Sequence, residues 1–187
     1  GAVEIPSIDV YLPIYHGTDS KSLEKGAGHL ENSSFPVGGK GTHSIISAHT
    51  GLPSAKMFDN LTEVKEGDIF YIHVLNRTLA YEVNQIKVVM PENISDLLIN
   101  KNRDYVTLIT CTPYGINSHR LLVRGERIPY REAKKKDKSE SKTNNMWKAY
   151  AFVGVLAVVL IILLWYYYHI RPKKKKARKK QVRRNEK

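Results

Sequence analysis

The stretch TLITCTPYGINSHRLLVRGER, residues 107–127, contains the pattern from which the fold and the candidate chemistry follow. An apolar, β-branched run ends at Cys111, the only cysteine of the chain, and a second apolar run follows a turn-rich loop. Side chains alternate between the two faces of a strand, so Thr107, Ile109 and Cys111 share one face. The stretch therefore predicts two strands joined by a loop, with Cys111 at the end of the first strand.

The residues before this stretch extend the pattern into a mainly β domain. Alternating or short apolar runs predict six strands, at 8–14, 42–49, 67–75, 79–89, 104–111 and 119–128. The strands at 67–75 and 79–89 would form a hairpin joined by three residues, 76–78. Short helices are expected at 21–30, 54–61 and 94–99. Strands at this spacing, with Gly and Pro between them, predict a closed or nearly closed β-barrel within residues 1–131.

The charge of the chain is divided unevenly along it. The formal net charge of +12 comes from 30 Lys and Arg against 18 Asp and Glu, but residues 1–131 hold 13 basic and 14 acidic side chains. The excess of positive charge therefore lies entirely in residues 132–187. A domain that is close to neutral lacks the basic surface that binds a phosphate backbone, so we expect no nucleic-acid partner.

Residues 149–168 form a run of 20 uncharged, mainly apolar residues. As a helix this run would extend about 30 Å, which matches the hydrocarbon core of a bilayer. Aromatic side chains stand at both ends of the run, as is typical of segments that meet the two membrane surfaces. The sequence therefore predicts one transmembrane helix with the lipid bilayer as its partner; the alternative is a buried core helix.

The segments on either side of this span predict its orientation. Residues 169–187 contain 11 basic side chains and one acidic side chain, whereas acidic residues dilute the basic ones in the polar stalk at 132–148. The positive-inside rule then places the tail in the cytoplasm and residues 1–148 outside the cell membrane. An exported domain needs a signal segment, which we expect to precede Gly1.

Cys111 is an unpaired thiol in a domain that we expect outside the cytoplasm. Free cysteine is among the most buried residue types, so a purely structural role is open. A lone thiol in an exported domain can instead be reactive, and a catalytic thiol acts as the thiolate, with a base or a cation nearby. The residues alone leave both interpretations open.

Candidate partners of Cys111 are histidines and one arginine. Six of the seven histidines precede the predicted span, and their spacing does not choose among them, because catalytic groups assemble in space. His49 follows an apolar run, and Arg120 opens the strand after the Cys111 loop, so both can reach one rim of a barrel. There Arg120 could stabilise an oxyanion or hold substrate carbonyls. The plain alternatives are a structural histidine and a surface charge.

Several long stretches resemble the sortases, in particular the class C, pilin-polymerising sortases of Gram-positive bacteria. The resemblance covers residues 2–131 and includes EIPSIDVYLPIYHGT, GAGHLENSSFPVGGKGTHSIISAHTGLPSAKMFDNL and DYVTLITCTPYGINSHRLLVRGER. The segment TLITC matches the TLxTC signature of the family, with Cys111 as its cysteine. The catalytic histidine of the family falls on His49, and the arginine falls on Arg120.

This resemblance implies a mainly β fold, an eight-stranded sortase-type β-barrel with short helices, to which the C-terminal transmembrane helix is added. It also implies a cysteine transpeptidase in which Cys111 is the nucleophile, His49 donates and accepts protons, and Arg120 stabilises the transition state or the substrate. Thr110 would supply a supporting hydrogen bond. No metal or organic cofactor is implied. We expect the Asp-Pro-aromatic lid motif of class C sortases to precede Gly1; the alternative is an enzyme without a lid.

The implied substrates are secreted pilin proteins with LPxTG-like sorting signals. Cleavage between Thr and Gly would form an acyl-thioester on Cys111, and a pilin lysine amine would then accept the acyl group, which polymerises pili. One competing interpretation keeps this chemistry but uses a cell-wall peptide amine, or water, as the acceptor. Another is a non-catalytic, membrane-anchored β-barrel binding module, in which Cys111 is dispensable.

The expected organisation has four parts along a single-pass protein of the bacterial cell membrane. Residues 1–131 form the extracytoplasmic catalytic domain and 132–148 the charged stalk. Residues 149–168 cross the membrane, and 169–187 form the basic cytoplasmic tail.

Overall fold

The computed structural model describes residues 1–53, 55–137 and 150–167. The chain divides into two compact units, Gly1–Asp137 and Lys138–Lys187. The described part of the first unit is dominated by β-strands, and the described part of the second is the helix Tyr150–Tyr167.

The described part of the first unit contains eight strands: β1 Ala2–Ile5, β2 Val10–His16, β3 Ala27–His29, β4 Thr42–Ser47, β5 Ile69–Val74, β6 Arg77–Val89, β7 Asp104–Thr112 and β8 His119–Ile128. They close into one barrel in the order β1-β2-β3-β4-β7-β8-β6-β5. Neighbouring strands run antiparallel except for the parallel pairs β2–β3 and β4–β7. The closed barrel predicted from strand spacing, and the eight strands implied by the resemblance, are confirmed.

Two of these strands, β1 and β3, are absent from the six that the residue pattern predicts. Both are short, and β3 has glycine at its centre, so neither shows an apolar alternation. A Cβ atom on Gly28 would overlap the backbone carbonyl of Gly17. Glycine is therefore required where these two segments of backbone approach each other. Because glycine has no side chain, β3 does not show the alternation of apolar and polar side chains by which a strand is predicted.

The hairpin between β5 and β6 is tighter than predicted. Val74 pairs with Arg77, which leaves Leu75 and Asn76 as the turn, with φ values of 48° and 56°. A two-residue turn with positive φ at both positions follows the right-handed twist of the strands that it joins. The predicted connection of three residues, 76–78, is wrong because residues 77 and 78 already belong to β6.

Helices in the described part of the first unit are short. The segment predicted at 21–30 holds the helix α1 (Ser20–Leu23) and then strand β3, while the one at 94–99 holds a 3₁₀ turn, Ser95–Leu97. The helix predicted at 54–61 is wrong for its described residues. There Met57 and Phe58 turn into the core, and a 3₁₀ turn begins only at Leu61.

The interior of the barrel is the hydrophobic core. Phe70 and Tyr81 stack there with ring centroids 5.5 Å apart. A Cβ atom on Gly125 would lie 2.7 Å from Cζ of Phe70 and 2.8 Å from Cβ of Tyr81, so only glycine fits on this part of β8. Residues of β7 alternate between this core and the outer face of the barrel.

On β7, Val106 and Leu108 point into the core. Because side chains alternate along a strand, Thr107, Ile109 and Cys111 project from the outer face. The candidate nucleophile therefore lies on the outside of the barrel wall, near the end of its strand.

The helix Tyr150–Tyr167 is long and apolar enough to cross a membrane. Its 18 residues include no charged side chain, and its large apolar side chains are exposed. Such a surface suits a hydrocarbon environment. The ends of the predicted span at 149 and 168 and the predicted tail at 169–187 lie outside the described residues, as does most of the predicted stalk. Residues 132–137 of that stalk are helical, and Ala133 is buried against the barrel.

Candidate active site

Cys111 and Arg120 are direct partners across two antiparallel strands. The last pairs of β7 and β8 join Cys111 to Arg120 and Thr112 to His119. Side chains of directly opposed residues lie on the same face, with Cβ atoms about 4.5–5.5 Å apart. The thiol is half-buried and is not part of a disulfide. Strand pairing alone thus places a free thiol and a permanent cation side by side.

Arg120 is also held by the loop that joins the two strands. Its Nη1 donates to the carbonyl oxygen of Asn117 at 3.1 Å and to that of His119 at 3.0 Å. Asn117 has φ of 58°, a conformation in which asparagine is more common than most other residues. These contacts occupy one nitrogen and leave the rest of the guanidinium fork available to a substrate.

His49 reaches the same end of the barrel through the parallel pairing of β4 with β7. The last regular pair is Ser47 with Ile109, and the amide of Ala48 continues the ladder by donating to the Ile109 carbonyl at 3.1 Å. His49 and Cys111 each stand two residues beyond that last pair. Continuing the register places them opposite each other, on the face shared by Ser47 and Ile109.

Thr110 joins the two segments that carry His49 and Cys111. Thr110 is 3% exposed, and its hydroxyl donates to the carbonyl oxygen of Ala48 at 2.8 Å. The hydroxyl of Thr50 lies 2.5 Å away, and its one proton points either to Thr110 or, at 3.3 Å, to the Phe58 carbonyl. The side chain points into the barrel beneath the site, so its hydrogen bonds support the site from below.

The segment after His49 is a loop whose two ends are joined by hydrogen bonds. The amide of Phe58 donates to the His49 carbonyl at 3.0 Å, and the amide of Gly51 donates to Oδ1 of Asp59 at 2.6 Å. Gly51 has φ of 81°, and a Cβ atom on it would lie 3.2 Å from the ring of Tyr114. These contacts fix the backbone on which His49 stands.

A cavity of about 250 Å³ opens beside Arg120 on the outer face of the barrel. Its floor is formed by side chains of β4, β7 and β8, and one wall is formed by the segment that follows β6. Arg120 lines this cavity, whereas Cys111 and His49 stand at its end and do not line it. The lining residues are mostly apolar: Thr18, Leu30, Ile45, Ser47, Val89, Met90, Pro91, Asn93, Ile94, Leu97, Ile109, Arg120 and Leu122.

Four of the other five histidines before the span have hydrogen-bond partners away from Cys111. His16 and His29 contact each other through their Nδ1 atoms at 3.3 Å. His43 is buried, and His73 bonds Glu4 on strand β1.

The fifth, His119, is the nearest of them to Cys111 in sequence. It pairs with Thr112 and contacts the hydroxyl of Ser118 at 2.8 Å.

Among the described residues, no three His, Cys, Asp or Glu side chains are grouped so as to hold a metal.

A family model described as the sortase domain matches residues 3–128 of this chain. The chain belongs to the sortase family. The barrel described above is therefore a sortase barrel.

Among curated relatives, this sortase is 29% identical over 131 residues to sortase D of Bacillus subtilis, covering 68% of this chain and 63% of the relative. It is 32% identical over 119 residues to sortase A of Staphylococcus aureus, covering 62% and 56% of the two chains. The chain spans about three fifths of the length of these relatives.

Solved structures of class C sortases are more similar to this chain. Sortase C-1 of Streptococcus pneumoniae is 62% identical, with a TM-score of 0.69 over 70% of this chain and 67% of that one. Sortase C1 of Streptococcus suis is 58% identical, with a TM-score of 0.69 over 70% and 73%. A structure described as the pilus-related sortase C of Group B Streptococcus is 53% identical, with a TM-score of 0.69 over 70% and 68%. These similarities identify the chain as a class C sortase.

Several residues of this sortase site have no role in the sequence-based prediction. The cavity wall at Met90, Ile94 and Leu97 is one such group, and buried His43 is another. The available signal was the run VVMPENISDLLI, in which apolar residues continue past the end of a strand. Apolar residues in an exposed connection often line a binding groove, but their pattern alone does not show which face they cover.

Proposed function

We propose that this chain is a cysteine transpeptidase that cleaves an LPxTG-like sorting signal between Thr and Gly and transfers the acyl group to a lysine amine of a pilin. The observation that supports this most directly is the pairing of Cys111 with Arg120, beside the segment of His49, at the end of an apolar cavity. An apolar cavity suits the Leu-Pro part of such a signal, and the cysteine at its end suits attack on the Thr carbonyl.

In the first step the Cys111 thiolate attacks the carbonyl carbon of the Thr residue. A C–S bond forms, and the charge that develops on the oxygen is stabilised by hydrogen bonds from the Arg120 guanidinium. The C–N bond to Gly then breaks, and protonated His49 gives its proton to the departing amine. The product is an acyl-thioester on Cys111 and a free glycine amine.

In the second step a lysine amine of another pilin attacks the thioester. His49, now neutral, removes a proton from the attacking amine, a C–N bond forms and the C–S bond breaks. The thiolate and the protonated imidazole are regenerated, so the cycle balances without any further reactant. Thr110 acts by holding the two segments together and does not touch the reacting atoms.

We also propose that the barrel lies on the outer side of the cell membrane. The single apolar helix at Tyr150–Tyr167 separates a nearly neutral domain from a tail with 11 basic residues. Lys and Arg are retained on the cytoplasmic side during insertion, which leaves the barrel outside, where secreted pilins are found.

The experiment incubates the full-length protein in detergent with an LPxTG peptide and with a pilin that carries the acceptor lysine. We expect a ladder of covalent pilin multimers, and an acyl-enzyme whose mass is that of the protein plus the peptide without its glycine segment. Cys111→Ala should give neither product. His49→Ala should be severely impaired, while His119→Ala, a histidine on the neighbouring strand, serves as the matched control and should retain activity.

Three outcomes separate the alternatives. Cleavage with a competent pilin but no ladder would reject pilin polymerisation and favour a cell-wall amine or water as acceptor. A pilin in which the acceptor lysine is changed to arginine should stop the ladder without stopping cleavage. Peptide binding that is unaffected in Cys111→Ala, with no cleavage by the unaltered protein, would indicate a binding module instead.

A further inference from the structure

His43 is a buried imidazole outside the catalytic set. It is 1% exposed and lies on β4, where its backbone partner is Tyr105 of β7. Its ring meets the Tyr105 ring edge-on, with centroids 5.5 Å apart. A histidine so deeply buried must have partners for both ring nitrogens.

The two contacts of His43 define its tautomer. Nδ1 lies 3.1 Å from the carbonyl oxygen of Leu98, which can only accept, so Nδ1 carries the proton. Nε2 lies 2.7 Å from Oγ1 of Thr107 and accepts from that hydroxyl. Burial lowers the pKa of His43 and Arg124 lowers it further, which outweighs the opposing effect of the Leu98 hydrogen bond, so the neutral ring is favoured. His43 is therefore a fixed hydrogen-bond donor to the Leu98 backbone.

Leu98 belongs to the connection between β6 and β7 that forms one wall of the cavity. It directly follows the 3₁₀ turn Ser95–Leu97, and the side chains of Ile94 and Leu97 line the cavity. The Leu98 side chain is 66% exposed, so burial of this side chain does little to hold the segment in place. Its backbone bond to His43 ties it to the floor of the cavity.

The middle residue of the same turn, Asp96, is attached separately. Oδ1 of Asp96 accepts from Nζ of Lys87 at 2.6 Å and from Nε2 of Gln85 at 2.9 Å, both on β6. The wall is thus fixed to β6 through Asp96 and to β4 through Leu98. Both attachments include a partly buried hydrogen bond, and among the donating side chains His43 is the most deeply buried.

We propose that His43 is a positioning residue for the binding of the sorting signal: its Nδ1–H bond to the Leu98 carbonyl sets the distance between the cavity wall and the strand floor. This inference rests on the proposed function, because it assumes that the cavity receives the signal. His43 does not touch the reacting atoms, so its loss raises KM and leaves kcat largely unchanged.

The test compares two substitutions that introduce the same amide group on side chains of different length. In His43→Asn the amide nitrogen occupies the position of Nδ1 and keeps a donor for Leu98. In His43→Gln it occupies the position of Nε2 and faces Thr107 instead. A third variant, His43→Leu with Thr107→Val, removes the ring and its other partner together, so that no hydroxyl is left unpaired.

We expect KM for an LPxTG peptide to rise roughly 5- to 10-fold in His43→Gln and in the double variant, as befits the loss of one hydrogen bond. His43→Asn should restore KM to within about twofold of the unaltered protein. Equal KM in the Asn and Gln variants, or a fall in kcat with KM unchanged, would overturn the proposal.

Hydrogen–deuterium exchange separates this inference from the proposed function. Amides of residues 90–103 should exchange faster in the Gln and double variants and not in the Asn variant, while those of β7 stay protected. This difference is measured without substrate, so it stands even if the unaltered protein fails to cleave the peptide. Unchanged exchange of this segment in all three variants would show that His43 does not hold the wall.

Discussion

At the scale of single residues, Thr110 is the side chain most directly tied to the geometry of the site. Its hydroxyl bonds the Ala48 carbonyl, one residue before His49, and it is itself one residue before Cys111. This hydrogen bond therefore joins the segments of His49 and Cys111, in addition to the backbone pairing of β4 with β7. Reactions of this kind are sensitive to displacements of about 1 Å between reacting groups.

Thr110→Val keeps the shape of the side chain and removes the oxygen. The Ala48 carbonyl loses this donor, while the Thr50 hydroxyl keeps the Phe58 carbonyl as a partner, and the change should lower the free energy of unfolding by about 1–3 kcal/mol. Because the His49 segment is then less firmly held, we expect kcat to fall roughly 10- to 100-fold with a smaller change in KM. Peptide cleavage kinetics and thermal unfolding of the full-length protein measure both effects.

Thr110→Ser is the matched control, since it retains the hydroxyl and should keep kcat within a few-fold of the unaltered enzyme. If the Val variant were as active as the Ser variant, the hydrogen bond would have no part in positioning the site. The pattern also contrasts with that expected for His43, whose variants should change KM rather than kcat.

The pairing of Cys111 with Arg120 follows from local sequence, whereas the approach of His49 does not. Arg120 is the ninth residue after Cys111, and two apolar runs around a turn-rich loop predict a hairpin that returns the chain to Cys111. His49 lies 62 residues before Cys111 and arrives through the parallel pairing of β4 with β7. Nothing in the spacing of the sequence fixes that register, so only the family resemblance assigned His49.

At the scale of structural elements, the connection between β6 and β7 is the part that the sequence described least well. A short helix was predicted at 94–99, and a 3₁₀ turn is present, but its attachment to the barrel was not foreseen. The attachment depends on Asp96 meeting Lys87 and Gln85, and on the Leu98 carbonyl meeting His43. Long-range contacts of polar side chains leave no periodic trace in a sequence.

The Asp96 attachment should depend on pH. Hydrogen bonds from Lys87 and Gln85 lower the pKa of Asp96 in the folded protein below its ordinary value. A carboxyl group with a lowered pKa stabilises the fold above its unfolded pKa of about 3.9, and this contribution is lost as the pH falls through the folded value. We expect Asp96→Asn to destabilise the protein by roughly 0.5–1 kcal/mol at pH 7, because Lys87 is half exposed and the pair is screened.

Thermal unfolding at a series of pH values between 7 and 3 measures this dependence. The difference between Asp96→Asn and the unaltered protein should shrink below about pH 4 and vanish once Asp96 is protonated. Glu92→Gln, an exposed carboxyl on the same connection, is the control and should show a small difference at every pH. A destabilisation by Asp96→Asn that stays constant down to pH 3 would show that the charge of Asp96 is not involved.

At the scale of the whole molecule, the division of charge was the most informative feature of the sequence. It separated a nearly neutral barrel domain from a basic terminus and so removed the nucleic-acid interpretation that the total of +12 suggests. The closed barrel was also predicted correctly, although two short strands were missed. Composition and strand spacing are properties of long segments and are little affected by local exceptions. Strands β1 and β3, with four and three residues, are too short to show a clear alternation of apolar and polar side chains.

The final prediction concerns the orientation of the molecule, and it uses the single cysteine as a probe. A maleimide that does not cross membranes should label Cys111 on intact cells, because we place the barrel outside and the thiol is half-buried rather than sealed. A second protein, Cys111→Ala combined with Lys174→Cys in the tail, should be labelled only after the cells are permeabilised. The extent of labelling is read by mass shift of the full-length chain.

The two proteins control each other, since each carries one thiol on one side of the predicted span. Labelling of Cys111 only after permeabilisation, together with labelling of the tail cysteine on intact cells, would reverse the proposed topology. Since secreted pilins reach only the outer side of the membrane, that reversal would also remove the proposed substrates from reach of Cys111. The proposed substrates therefore require the proposed orientation. The labelling experiment thus tests the proposed function without a pilin.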